Sequence, residues 1–389
     1  MNASHNKKID SIQFLRAVAV LLVVYVHIID SASDFSPSQS KFFFLENWGA
    51  IGLDLFYIIS GFIMTIVTPS YVTSRDWKDF AMKRVLRIIP LYWVLSVFSI
   101  VLQLIKGNYY SFEKVMKTLF FFPIFDSAFV FPIIPVGWSL SLEIYFYFLI
   151  ALLLVFAAKR IYTYLLMVLF ICSGIGYFFE PQHPMLSFLF SPLLIEFALG
   201  ILVGLLYRSA SNIMSEAKIR FLAKAAMLSG FCLMIGTIFT GYFGVGDAEY
   251  VSSDAAAALI RVMVWGVPSA LFLAGVVLLE SQQGLKIPRF FTELGDASYS
   301  CYLIHALLLI PIARKIYLLF GLNNGDFYIL ATLVFVCVSS IYFYRFFEKR
   351  LIAVVNRIYL RSRIAPNVPY SRKARFARIN FFEKATKAS

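Results

Sequence analysis

The chain has 389 residues, 60% of them hydrophobic and 15% charged, with a mean hydropathy of +0.78. A soluble domain carries about 45–50% apolar and about 25% charged residues, so this composition excludes an ordinary soluble fold and indicates a polytopic membrane protein. The formal net charge is +13, but the basic residues flank apolar runs; topology accounts for them, and nucleic-acid binding is not needed. Cys172, Cys232, Cys301 and Cys337 all fall in apolar runs and show no disulfide framework or metal-ligand spacing.

Apolar runs of roughly 20 residues suffice to cross a ~30 Å hydrocarbon core. Such runs lie near 11–30, 49–68, 88–106, 137–157, 161–178, 188–207, 219–241, 258–279, 296–318 and 326–347. The pattern predicts an all-α, polytopic membrane bundle of about ten transmembrane helices over residues 1–348. A basic cytoplasmic segment over 349–389 follows, with eleven Lys/Arg and one acid, Glu383. It suits a surface of anionic headgroups. No internal repeat is evident.

Lys and Arg set the orientation. With the N-terminus inside, the inner segments hold Lys7 and Lys8, the Arg75–Arg87 cluster, Lys159 and Arg160, the Arg208–Lys224 group, Lys286, Arg289 and the whole C-terminal region. The outer side holds Lys41, Lys106, Lys114, Lys117, Arg314 and Lys315. That asymmetry obeys the positive-inside rule and places both termini in the cytoplasm. A cleaved signal peptide ending at SAS (31–33) is the alternative for the first run. Arg16 and His27 inside that run argue against it.

In chain order, the polar residues within the spans form a pattern. The first span, FLRAVAVLLVVYVHII, carries Arg16 and His27. Eleven residues are close to three full turns, so the two share a face about 16 Å apart. One is a permanent cation and the other titrates near neutrality. Neither belongs against lipid, so that face should line an interior. The second span opens GLDLFYIISGF and places Asp54 near the outer end; the alternative is a helix cap. In KRVLRIIPLYW, Lys83, Arg84 and Arg87 precede a helix start at Pro90. Arg84 and Arg87 are at i, i+3, and their forks suit phosphate oxygens; they also read as positive-inside anchors. The fourth span opens GWSLSLE, with Trp138, Ser139 and Ser141 above Glu143. The serines read equally as helix-packing residues. In the ninth span, Ser298, Tyr302 and His305 share a helical face, and His305 also reads as a satisfied buried histidine. His27, Asp54 and Glu143 are thus expected at similar depth on the outer side.

Five elements resemble the membrane-bound acyltransferase-3 family, which includes O-acetylases of O-antigen and exopolysaccharide. They are R-x10-H (Arg16 to His27), GLDLFYIISGF (Gly52 to Phe62), RVLRIIP (Arg84 to Pro90), GWSLSLE (Gly137 to Glu143) and SYSCYLIH (Ser298 to His305). They occur in order on five spans. YRFFEKR at 344–350 departs from the pattern, since relatives often have proline after the basic residue.

The resemblance implies a bacterial inner-membrane enzyme that moves an acyl group, usually acetyl, from cytoplasmic acetyl-CoA or another acyl-CoA to a carbohydrate hydroxyl across the membrane. Glycan-assembly proteins would be partners alongside the bilayer. Acyl-CoA would be a donor substrate, with no permanently bound cofactor and no metal. On this reading His27 is general base or transient acyl carrier. Asp54 or Glu143 orients it. Arg16, Lys83, Arg84 and Arg87 hold CoA phosphates. Trp138, Ser139, Ser60, Tyr302 and His305 are candidates for the oxyanion or substrate contacts. A proton-coupled transporter or flippase of a glycan-type substrate is the rival reading, and a structural subunit of an export complex is a second.

Overall fold

Each apolar run closes into a helix because every backbone N–H and C=O in hydrocarbon must be satisfied within the segment. The computed structural model describes residues 9–33, 48–71, 76–121, 131–157, 160–240, 246–247, 254–322 and 324–363. The helices are α1 (Asp10–Ser33), α2 (Ile51–Val67), α3 (Trp77–Ile105), α4 (Phe112–Leu119), α5 (Gly137–Ala157), α6 (Ile161–Phe179), α7 (Pro184–Leu189), α8 (Leu194–Ile213), α9 (Glu216–Thr240), α10 (Ala255–Gln283), α11 (Arg289–Asp296), α12 (Ser298–Leu319) and α13 (Gly325–Tyr359). Ten spans are long and apolar enough to cross a membrane, as the hydropathy pattern predicts, and no strand occurs among the described residues.

Two boundaries differ from expectation. α3 starts at Trp77 and carries Pro90 in its interior rather than at its start. Proline costs a soluble helix an N–H bond and a steric clash, but membrane helices tolerate it where neighbouring groups re-satisfy the backbone. Lys83, Arg84 and Arg87 therefore sit on the helix itself. At the other end, α13 continues through a π turn at Tyr344–Glu348 into the helical segment Lys349–Arg363, of which the part to Tyr359 belongs to the tenth span. Residues 364–389 and the Lys7–Lys8 pair lie outside the described residues.

α1 is enclosed by α2, α10, α11, α12 and α13, which is how it carries polar side chains without meeting lipid. Small residues bring the helices together. A Cβ on Gly61 of α2 would lie 2.2 Å from the Phe197 carbonyl oxygen of α8, and one on Gly200 would lie 2.0 Å from that of Ile58. Helix association in lipid relies on such close backbone approach. Gly61→Ala or Gly200→Ala must force α2 and α8 apart. Each is expected to cost about 1–3 kcal/mol, read as a lower melting temperature in detergent. Gly174→Ala, where a Cβ meets nothing within 4 Å, should leave it unchanged.

Candidate active site

α1 carries polar groups at both ends of a buried stripe. Towards its C-terminal end, the His27 side chain is 38% exposed and its Nδ1 lies 3.4 Å from Asp30 Oδ2, one turn on. His27 opens into a cleft of about 470 Å³ between α1 and α12, lined also by Ser31, Ile310, Pro311, Arg314 and Lys315. Behind His27 sits His305, fully buried, with ring centroids 5.2 Å apart. His305 Nδ1 is 2.9 Å from the Cys301 carbonyl oxygen. His305 also begins a π turn, His305–Leu309, that interrupts α12. Such turns are frequent at functional sites.

Asp54 and Glu143 do not join His27. α1 and α2 run antiparallel: Gly49 packs on the Leu22 carbonyl and Gly52 on that of Ala19. Extending this register puts Asp54 near the level of Ala17, roughly 15 Å inward of His27. There its carboxylate is held bidentately by Arg261 of α10, with Nε to Oδ1 at 2.9 Å and Nη2 to Oδ2 at 2.8 Å. Arg261 Nη2 also donates to the Ala50 carbonyl. Glu196 of α8 lies against this pair, fully buried, and neither of its oxygens has a hydrogen-bond partner among the described residues. Capping does not explain Asp54 either, because the helix is preceded by Ala50 with no side-chain cap. The carboxylate beside His27 is Asp30.

Glu143 lies deeper still. It accepts from Ser60 Oγ at 2.8 Å and from the Tyr147 hydroxyl. Ser60 is six residues further inward along α2 than Asp54, about 9 Å. Glu143 is therefore a neighbour of the buried arginines: both Arg16 and Arg84 interact with it electrostatically. The reason is that α5 starts inside the bundle. Ile133, Ile134 and Val136 before it are buried, and Gly137 lies against Tyr92, midway along α3.

The opposite end, around the N-terminal half of α1, gathers the cations. Arg16 and Arg84 are both buried. Arg16 Nη1 reaches Gln13 Oε1 at 3.4 Å. The Arg84 guanidinium lies between the rings of Phe80 and Tyr147, at 5.8 and 5.7 Å, and its Nε has no partner among the described residues. Arg87 approaches Arg16 and Arg84 electrostatically, and Lys83 sits over the Tyr71 ring at 5.1 Å. Glu348, in the π turn of α13, accepts from Ser300 and faces Arg16 and Arg87. No carboxylate lies within ion-pair distance of Arg16 or Arg84 among the described residues.

Between the two ends, Ser139 Oγ and the Tyr302 hydroxyl are 2.6 Å apart, and each also reaches the Val136 carbonyl, at 3.1 and 2.9 Å. A hydroxyl has one proton. One of the two protons goes to Val136 and the other bridges the pair, so neither is left for an oxyanion in this arrangement. Trp138, half-buried at the start of α5, packs against the core. Among the described residues no group of three His, Cys, Asp or Glu is placed to hold a metal ion.

Arg261, Glu196, Glu348 and Asp30 are absent from the sequence-derived set. The first two were accessible by the rule already applied: each is a lone charge in an apolar span, in AAALIRVMVWG and PLLIEFALG. Glu348 sits in YRFFEKR, the element that departs from the family pattern.

Comparison with known proteins names the chemistry. The acyltransferase domain family, Acyl_transf_3, matches residues 9–344. The chain belongs to that family. It is a membrane acyltransferase, which sets aside the transporter and structural-subunit readings. Exopolysaccharide production protein ExoZ of Rhizobium meliloti (strain 1021) is 27% identical over 274 residues, covering 68% of this acyltransferase and 78% of ExoZ. YrhL of Bacillus subtilis (strain 168), whose assigned name is that of a peptidoglycan O-acetyltransferase, is 24% identical over 390 residues, covering 89% of this chain but 55% of YrhL. Nodulation protein 10 of Rhizobium leguminosarum bv. viciae is 25% identical over 339 residues, covering 79% and 84% of the two chains. No solved structure matches the acyltransferase.

Proposed function

We propose that this acyltransferase moves an acyl group, acetyl in the first instance, from cytoplasmic acyl-CoA to a hydroxyl of an extracytoplasmic or lipid-linked carbohydrate. It would act in a bacterial inner membrane with both termini cytoplasmic. The carrying observation is the pair of buried arginines, Arg16 and Arg84, with no carboxylate in ion-pair distance among the described residues. Asp296, Glu348 and Glu143 act on Arg16, and Glu143 on Arg84, from beyond ion-pair distance. A buried cation without a direct ion pair is costly, and a bound phosphate would satisfy it bidentately. With Arg87 and Lys83, the two arginines would hold the nucleotide and diphosphate end of CoA. The pantetheine arm would then span the roughly 16 Å to His27. The names of ExoZ and YrhL support a carbohydrate acceptor.

In the reaction, His27 Nε2 takes the proton of the acceptor hydroxyl as the oxygen attacks the thioester carbonyl. The tetrahedral intermediate collapses with cleavage of the C–S bond, and the imidazolium returns its proton to the departing thiolate, releasing CoA-SH. Asp30, 3.4 Å from Nδ1, orients the ring in the role first expected of Asp54 or Glu143. Glu143, with Ser60 and Tyr147, instead holds the inner arginines in place.

The test is acyl-CoA binding by purified protein in detergent. Arg84→Ala with Arg87→Ala should weaken acetyl-CoA binding about 10–100-fold, since charged hydrogen bonds contribute about 1.5–3 kcal/mol each. Arg84→Lys should restore only part, because the fork is lost. Unchanged affinity in the double alanine variant would reduce the pair to a topological anchor.

A further inference from the structure

His305 holds a buried nitrogen with no hydrogen-bond partner among the described residues. The Cys301 carbonyl 2.9 Å from Nδ1 can only accept. The proton of a neutral His305 is therefore on Nδ1, and Nε2 presents a lone pair. That Nε2 is buried and makes no hydrogen bond among the described residues. Buried polar groups are almost always paired, and each exception calls for an explanation. Three further facts surround this one. The ring facing His305 is that of His27, at 5.2 Å and tilted by 38°. The ring stands at the head of a π turn, and Pro311, two residues beyond that turn, lines the His27 cleft. The Tyr302 ring also lies 5.9 Å from that of His305, tilted by 49°, its hydroxyl already engaged with Val136 and Ser139.

We propose that His305 is a positioning residue for acyl transfer, its fixed Nε2 lone pair accepting the ring N–H that His27 gains when it takes the hydroxyl proton. The inference rests on the reading of His27 as general base. In the resting state His27 has one ring proton, directed at Asp30, and His305 Nε2 waits without a partner. When the acceptor hydroxyl gives up its proton, His27 carries two. Rotation of the His27 ring, whose centroid is 5.2 Å from that of His305, then turns the new N–H towards His305, while Asp30 keeps the other. Both protons of the imidazolium are satisfied until the thiolate takes one back. No bond to His305 is made or broken, and its own proton stays on Nδ1. A histidine suits this place because it tethers one nitrogen to its own helix and turns the other, as a pure acceptor, towards its neighbour.

This role differs from a structural one in the sign of its stability effect. A histidine kept for packing would destabilise the protein when replaced. A polar atom buried without a partner is a cost, and an apolar group of similar volume removes it. His305→Leu is therefore expected to hold or raise the melting temperature in detergent while lowering kcat about 10²-fold, with acyl-CoA affinity and KM for the donor unchanged. His305→Gln, whose amide oxygen restores an acceptor near the Nε2 position, should recover part of the lost kcat. Nitrogen-15 NMR of histidine-labelled protein supplies an independent readout: a His305 protonated on Nδ1 and bare on Nε2. The proposal is overturned by near-wild-type kcat in a folded His305→Leu protein, by a His305 protonated on Nε2, or by loss of stability in step with activity in both variants. His27→Ala is the separating control. If it is inactive while His305→Leu turns over normally, only the role of His305 falls. If His27→Ala is itself active, the general-base reading beneath it falls too.

Discussion

His27→Ala is expected to lower acyl transfer by about 10²–10⁴-fold, the usual contribution of a positioned general base, with no loss of folded protein. The two halves of that expectation come from one geometry. His27 is 38% exposed and lines an open cleft, so truncating it leaves no closed cavity. Its partner Asp30 is 51% exposed, so it stays solvated when the imidazole is gone. Donor binding should be unaffected, because Arg16, one of the arginines proposed to hold the donor, lies about 16 Å away. The measurement is turnover per folded protein with acetyl-CoA and an acceptor glycan, alongside acetyl-CoA affinity. Acid quenching of the wild-type enzyme during turnover separates two versions of the chemistry. A mass increase of one acyl group on the His27 peptide would make His27 the acyl carrier; its absence leaves direct transfer. Near-normal turnover by His27→Ala would remove His27 from the chemistry.

The ten spans were legible because hydropathy is local: about 20 apolar residues make a span whatever they pack against. The shared face of Arg16 and His27 was legible for the same reason, since both lie on one helix with a fixed pitch. Depth between helices was not. His27, Asp54 and Glu143 were set level by counting from span ends, which assumes that all spans begin at one plane. The contacts of Gly49 and Gly52 with α1 fix a register that carries Asp54 well inward. Buried Ile133, Ile134 and Val136 start α5 within the bundle and carry Glu143 further still. Neither contact leaves a trace in the periodicity of one sequence. Pro90 misled for a related reason: the rule that proline opens a helix is calibrated on water-exposed ends. Arg261 and Glu196, by contrast, were visible as charges in apolar spans, and only their convergence on Asp54 needed the third dimension.

The Arg261–Asp54 pair carries the largest expected effect on folding. Arg261→Leu should nearly abolish folded protein, because it leaves Asp54, fully buried, without its bidentate partner. Removing one member of a buried ion pair costs about 3–5 kcal/mol, a large fraction of a typical stability of 5–15 kcal/mol. Asp54→Asn should be milder. Glu196 lies against the same site and interacts with Arg261, so it can supply the missing negative charge. Glu196→Gln should be mildest, since its oxygens make no hydrogen bond among the described residues and the Arg261–Asp54 fork survives. Combining Asp54→Asn with Arg261→Leu removes both charges and should recover much of the single Arg261 loss, the expected non-additivity of a contacting pair. Size-exclusion profiles and melting temperatures in detergent give the order. Turnover per folded molecule decides the meaning for Asp54. With its carboxylate fully engaged by Arg261 roughly 15 Å inward of His27, Asp54→Asn should keep specific activity within a few-fold of wild type in whatever fraction folds. A well-folded Asp54→Asn protein with no turnover would return Asp54 to the chemistry and displace Asp30 as the partner of His27.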